Sequence, residues 1–110
     1  MNINIELEKK IVGLVSSFNN KNYDEVIKVS NGLYKNYRDI AILPNLIGAS
    51  YAGKGNHQDA INYYDKAFSL DKNNFEILNN IGKSYLKLSY FDKALSSFEK
   101  SISLNKNIPE

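Results

Sequence analysis

Apolar residues along this chain recur every three or four positions, which is the spacing of one face of a helix. Two such stripes stand near the C-terminus: Leu78, Ile81, Tyr85 and Leu88, then Ala94, Leu95, Phe98 and Ile102. Polar segments rich in Asn, Asp and Gly interrupt the pattern at 19–22, 53–56, 71–74 and 105–107. The pattern predicts an all-α fold of six helices, over about 5–19, 23–36, 43–53, 57–70, 75–88 and 91–104.

The predicted helices form pairs that repeat every 34 residues. Gly48 returns as Gly82, and Tyr23 returns two periods later as Phe91. A fixed period in this range is typical of stacked helical hairpins, because one hairpin alone is too small to bury its apolar face. A length of 110 residues suits one domain. We therefore expect a single domain over 1–110, with repeats over about 5–40, 41–74 and 75–108.

The second and third repeats resemble tetratricopeptide repeats. The motif of that family has a large, an apolar and a small residue and a Tyr in its first helix, then Ala, an aromatic and Ala in its second. The matching residues are Pro44, Ile47, Gly48, Tyr51, Ala60, Tyr64 and Ala67, then Leu78, Ile81, Gly82, Tyr85, Ala94, Phe98 and Ser101. Lys72 and Lys106 replace the final Pro of the motif. The resemblance implies three antiparallel hairpins stacked into a right-handed α-α superhelix.

The first helix departs from the motif. In strict register the small residue falls on Leu14 and the Tyr falls on Ser17. A shift of one residue would instead place four apolar residues on the core face: Ile11, Leu14, Val15 and Phe18. We expect this shift, together with a turn shorter by one residue around 19–22, because a terminal repeat packs on one side only.

Individual residues predict local features of the hairpins. Pro44 suits the first turn of a helix, where its missing N–H is not needed. Gly55 suits a left-handed turn between paired helices, Ser89 takes the equivalent place in the last hairpin, and Asn56 would cap the helix that follows Gly55. Gly82 should lie where two helices cross closely.

Composition argues against catalysis, metal binding and nucleic-acid binding. Cysteine is absent, and the single histidine, His57, has no second ligand of its kind, so we expect its ring to pack at a helix start. A net charge of +2 with one arginine, Arg38, disfavours nucleic acid and membrane surfaces. We expect no enzyme activity, cofactor or metal. The absence of cysteine and of a signal-like N-terminus favours a cytoplasmic location.

The resemblance implies a protein-interaction scaffold, whose concave groove holds an extended peptide or a partner helix. The groove positions it indicates are Asn45, Ala49, Gly53, Glu76, Asn79, Asn80, Lys83 and Lys87. Asn amides both donate to and accept from a peptide backbone, and Lys83 and Lys87 share a helix face that would favour an acidic partner. The alternative is that these are ordinary solvent-exposed positions of an Asn- and Lys-rich chain.

Two subfamilies suggest themselves, and neither fits fully. The carboxylate clamp of heat-shock co-chaperones is disfavoured, because Asn45 and Ala49 stand where it needs Lys and Asn. The segments 46–51 and 79–82 are similar to bacterial repeats fused to glycosyl- or sulfotransferase domains. An alternative function is therefore an N-terminal recognition or oligomerisation segment of a larger enzyme such as a glycosyltransferase.

The end of the last repeat predicts self-association. Leu95, Phe98 and Ile102 belong to its apolar stripe, and part of that stripe would face a neighbour that the sequence does not supply. We therefore expect either further repeats in a longer chain or a symmetric homodimer through this end.

Overall fold

The computed structural model describes residues 4–106, which form six α-helices joined by short turns. The helices are α1 (Ile5–Asn19), α2 (Tyr23–Asn36), α3 (Ile42–Gly53), α4 (His57–Leu70), α5 (Phe75–Lys87) and α6 (Phe91–Lys106). Every predicted boundary lies within two residues of the observed one, and Pro44 lies in the first turn of α3 as expected. The all-α prediction is confirmed.

The helices stack as three hairpins in two layers. Each hairpin packs on the next through α2 with α3 and through α4 with α5. α3 also contacts α1 and α5, whereas within residues 4–106 the backbones of α2, α4 and α6 do not approach one another. Because the inner side of a curved stack is its more crowded side, α1, α3 and α5 form an inner layer and α2, α4 and α6 an outer layer.

Two glycines let paired helices cross closely. A Cβ atom on Gly82 would lie 2.6 Å from Cε1 of Phe98, and one on Gly48 would lie 2.8 Å from Cδ1 of Tyr64. Real Cβ atoms do not approach another atom so closely, so the aromatic rings occupy the space that the glycines leave. The close crossing predicted at Gly82 is confirmed. Burial beside Gly48 also raises the pKa of Tyr64 to about 12.

The first hairpin packs less closely than the other two. Leu14 occupies the position of the two crossing glycines and is 4% exposed, and the backbone of α1 approaches that of α2 less closely than α3 approaches α4. The side chain of Leu14 fills the gap that glycine closes in the later hairpins. Ile11, Val15 and Phe18 pack beside it, so the predicted core face of α1 is confirmed.

The three turns within hairpins are equivalent, so the prediction of a shorter first turn is wrong. Lys21, Gly55 and Ser89 have φ of 64°, 86° and 63°, the left-handed region predicted for Gly55 and Ser89. In each turn the next residue donates its N–H to a carbonyl five residues earlier, at 2.9, 2.8 and 2.9 Å. The 34-residue register is thus kept at the turn, and α1 instead presents a different face to the core.

Asparagine caps some helices and not others. Asn56 precedes α4, but its side chain makes no capping hydrogen bond, contrary to the prediction. Asn56 follows the left-handed Gly55, and its ψ of 71° is lower than that of the two asparagines that do cap. Asn4 and Asn74, with ψ of 163° and 94°, do cap: Oδ1 of Asn4 accepts from the Leu7 N–H at 2.7 Å.

Two core clusters hold the stack together. The first joins α1 and α2 to the start of α3, with Leu14, Val26 and Leu43 among its buried members. The second joins α4 to α5 through Ala60, Tyr64, Ala67, Ile77, Leu78 and Ile81. Every hairpin therefore buries part of its apolar surface against a neighbouring hairpin, as a repeat architecture requires.

Candidate peptide-binding face

The inner layer presents residues from α3 and α5 in matched rows. Residues 34 apart take equivalent places on successive inner helices, so Asn45 pairs with Asn79 and Ala49 pairs with Lys83. On each helix these positions are four residues apart and share a face. We call this set the inner face: Asn45, Ala49, Ala52, Glu76, Asn79, Lys83, Leu86 and Lys87.

Asn45 combines burial with an unused acceptor. Its Oδ1 atom is buried and accepts no hydrogen bond from another described residue. Asn45 lines a small cavity of about 180 Å³ with Ile42 and, from the α4–α5 turn, Asp71 and Asn74. The amide of Asn74 donates to the Asp71 carboxylate at 3.1 Å. The exposed Asp71 carboxylate is therefore the accessible oxygen acceptor of this cavity, whereas Oδ1 of Asn45 is closed off from solvent.

The charges on α5 are separated along the helix. Glu76 is exposed in the first turn, whereas Lys83 and Lys87 are exposed toward the end. Within residues 4–106 neither lysine forms a salt bridge, while Lys54 is paired with Asp24 at the junction of the first two hairpins. The two free ammonium groups make the C-terminal half of α5 the basic part of the inner face.

The family models match the last two hairpins. Residues 48–89 match a model described as "TPR repeat", and residues 75–108 match one described as "Tetratricopeptide repeat". Residues 48–108 are tetratricopeptide repeats. The first hairpin lies outside both matches, in agreement with its leucine at the close-crossing position. Tetratricopeptide repeats are an interaction architecture, which assigns these residues to a protein-binding scaffold.

Solved structures share the architecture. The structure named "MamA MSR-1 C2" superimposes with a TM-score of 0.83 at 19% identity, covering 94% of this chain and 58% of that one. "Crystal structure of MamA" gives a TM-score of 0.80 at 20% identity, covering 84% and 54%. This chain thus spans little more than half the length of either, and at this identity the likeness shows the fold alone. No curated protein matches the chain.

Two of the groove residues predicted from the sequence make contacts within the stack of hairpins. A Cβ on Gly53 would lie 2.4 Å from Cζ of Tyr23, so Gly53 serves as the contact between the first two hairpins. Asn80 is half-buried and is equivalent to Leu46, a member of the first core cluster. Asn80, like Asn79, is therefore less accessible than Lys83 or Glu76, whereas Gly53 stays exposed but has no room for a side chain on the side of Tyr23.

The sequence interpretation missed the apolar end of the inner face. Ala52 and Leu86 follow Ala49 and Lys83 by three residues and so share their helix face. Leu86 is 45% exposed. The signal was present in the sequence, because Phe18, Ala52 and Leu86 are spaced by the repeat period, but the family motif has no diagnostic residue there.

Two further titratable groups lie on α4, in the outer layer. His57 begins α4 with a half-buried ring whose Nδ1 is buried and unbonded to described residues. Burial raises the pKa of the Asp65 carboxyl on α4. Over residues 4–106, no three His, Asp or Glu side chains are placed to hold a metal ion. The same stretch has no helix with the length and apolar character to cross a membrane.

Proposed function

We propose that this chain is a non-enzymatic scaffold whose inner face binds an extended peptide or a helix of a partner protein. The observation that carries the proposal is the inner face itself, where Asn45 and Asn79 take equivalent places on adjacent helices and Lys83 and Lys87 are exposed. In this proposal the side-chain amide of Asn79, which both donates and accepts hydrogen bonds, bonds the backbone of the partner peptide.

The charges favour an acidic partner. Lys83 and Lys87 are exposed and unpaired within the described residues, and both lie on the inner layer. Each solvent-exposed ion pair contributes about 1 kcal/mol or less and is weakened by salt. We therefore propose binding in the micromolar range or weaker, which falls between low and physiological salt.

A fluorescein-labelled peptide of alternating Glu and Leu, followed by fluorescence anisotropy, tests the proposal. The double variant Lys83→Glu/Lys87→Glu should lose roughly tenfold or more in affinity at low salt. The matched control is Lys28→Glu/Lys35→Glu, which makes the same charge change on exposed positions of α2 in the outer layer. Equal losses of peptide affinity in both double variants would show that only the net charge of the protein matters, and would overturn the assignment of binding to the inner face.

An outer cleft is the competing surface for the same peptide. It lies between α4 and α6, has a volume of about 510 Å³, and places Lys72 and Lys100 around Phe68 and Leu104. Asp65 also lines it and would repel an acidic ligand. Binding that survives the inner-face variant but fails in Lys72→Glu/Lys100→Glu would transfer the function to this cleft.

Two alternative functions are distinguished by separate tests. Binding of an apolar helix without salt dependence would indicate a hydrophobic mode centred on Leu86 and Ala52. The chain as a recognition or oligomerisation segment of a larger enzyme, such as a glycosyltransferase, also stays a prediction. The natural reading frame decides it, since that alternative requires a catalytic domain after residue 110.

A further inference from the structure

The outward side of α6 carries a row of exposed apolar side chains. Phe91, Leu95 and Ile102 are 64%, 59% and 55% exposed. The residues equivalent to Leu95 and Ile102 on α4 are Ile61, which is 2% exposed, and Phe68, which packs on the second core cluster. α5 packs against α4, while among the described residues no helix follows α6. The row is therefore an apolar surface that no other described helix covers.

The opposite end of the stack does not complement this row. α5 packs onto α4 with three buried residues: Ile77, Leu78 and Ile81. The equivalent residues of α1 are exposed and hydrophilic or lack a side chain: Lys9, Lys10 and Gly13. Burying two ammonium groups against an apolar surface is unfavourable. A second copy therefore cannot dock its α1 on α6 as α5 docks on α4, which argues against a head-to-tail assembly.

α6 complements itself in charge when two copies run antiparallel. Asp92, Glu99 and Lys106 are spaced by seven residues along one edge of the apolar row, with Asp92 in the first turn and Lys106 in the last. About a two-fold axis at Glu99, Asp92 of each copy faces Lys106 of the other, and Leu95 comes within one residue of the position that faces Ile102. Antiparallel helix dipoles favour the same arrangement.

We propose that two copies of this chain associate tail to tail through α6, antiparallel about a two-fold axis near Glu99. The contact is small, because three part-exposed side chains fall well short of the about 800 Å² that each partner buries in a standard interface. The two Glu99 carboxylates also approach each other on the axis. The dimer is thus weak and depends on concentration. Because α6 belongs to the outer layer, the dimer leaves both inner faces free, so it presents two binding faces to a multivalent partner.

Sedimentation velocity over a concentration series tests the contact. The wild type should shift from monomer toward dimer as its concentration rises, and Leu95→Glu should remain monomeric. The matched control is Val12→Glu on α1, since Val12 is 68% exposed and glutamate again replaces an exposed aliphatic side chain. Circular dichroism of each variant verifies that the helices persist. A wild type that stays monomeric throughout, or a loss of association in Val12→Glu instead of Leu95→Glu, overturns the proposal.

A charge exchange tests the antiparallel arrangement. Asp92→Lys and Lys106→Asp should each weaken self-association by about threefold to tenfold, because each places like charges opposite one another. An equimolar mixture of the two variants should restore association, since both facing pairs are then opposite in charge. Glu99→Gln should tighten the dimer by a similar factor. Failure of the mixture to recover, or weaker association of Glu99→Gln, would contradict the two-fold axis at Glu99.

Discussion

The first and last hairpins occupy the two ends of the stack and differ at equivalent positions. Where α5 has Gly82 against the ring of Phe98, α1 has the buried side chain of Leu14, and α1 packs correspondingly less closely on α2. Where α5 packs Ile77 onto the preceding hairpin, α1 exposes Lys9 to solvent. The turns, in contrast, are alike: each has a residue with left-handed backbone at the same position, Lys21 or Ser89, and the same pattern of hydrogen bonds.

This comparison indicates that the two ends of the stack present different surfaces. The first hairpin combines an unchanged turn with a first helix whose outer side carries the exposed Lys9 and Lys10. The last hairpin keeps the close crossing at Gly82 and leaves the outward side of α6 apolar. The first helices of the two hairpins therefore differ, while the turn that sets the pairing of the helices is retained.

The largest expected effect comes from filling a close crossing. Gly82→Leu should cost at least about 3 kcal/mol and abolish cooperative thermal unfolding, because its first side-chain atom would already lie 2.6 Å from Phe98. Gly13→Leu on α1 is the matched control, since a Cβ there has nothing within 4 Å. Thermal melts by circular dichroism should show Gly13→Leu unfolding at or above the wild-type temperature. Equal melting of wild type and Gly82→Leu would remove the basis for this helix pairing.

The next effect tests the divergence of the first hairpin. Leu14→Ala gives α1 the small residue that the later hairpins have, but it also empties a packed core site that is 4% exposed. Truncation of a buried leucine costs about 2–5 kcal/mol. We expect a value near the lower end, because the loosely packed hairpin can partly close, and urea denaturation measures it. A stabilised Leu14→Ala would show that the first hairpin can adopt the close crossing of the others.

The turns should respond alike at both ends. A non-glycine residue in the left-handed region costs about 1–2 kcal/mol. Replacing it with glycine removes this cost, but glycine also raises the entropy of the unfolded state, which offsets part of the stabilisation. Lys21→Gly and Ser89→Gly should each stabilise by about 0.5–1 kcal/mol in urea denaturation, because their φ values are 64° and 63°. A gain at one site and a loss at the other would mean that the turns are not equivalent.

The smallest effect compares two equivalent carboxylates of the outer layer, Asp65 on α4 and Glu99 on α6. Burial raises the pKa of Asp65, so the native state holds that proton more tightly than the unfolded state, and ionised Asp65 opposes folding at neutral pH. Asp65→Asn should therefore stabilise at neutral pH, and its advantage should vanish below the ordinary Asp pKa of about 3.9. Glu99→Gln, at the equivalent exposed position, should change the stability of the monomer by less than about 0.5 kcal/mol. An advantage of Asp65→Asn that is independent of pH would contradict the burial argument.

Most of the fold follows from local sequence rules. The apolar spacing set the helix boundaries, and the 34-residue period predicted which glycines cross a neighbouring helix and which turn residues are left-handed. These features depend on a few neighbouring residues, such as Gly82 with Phe98, that the motif keeps at fixed separation. Asn56 shows the limit of residue type alone, because capping depends on a ψ angle that the preceding turn fixes.

The sequence predicted which residues share the inner face, but it did not predict which of these residues are accessible to a partner. The family register indicated Asn45, Asn79 and Lys83, and the structure places them on equivalent faces of adjacent helices. It could not show that the Tyr23 ring packs on Gly53, since that contact joins residues 30 positions apart in different hairpins. Leu86 was missed for a related reason: its exposure depends on what packs across α5, which the motif does not specify.

The inner face as the partner-binding surface is tested most directly by an NMR titration. Backbone amide shifts of the labelled chain would be followed as the peptide of alternating Glu and Leu is added at low salt. We expect the largest changes at Asn45, Asn79 and Lys83 on the inner face, with little change in α2. Changes concentrated at Phe68 and Leu104 in the outer cleft, with the inner face unaffected, would contradict the account.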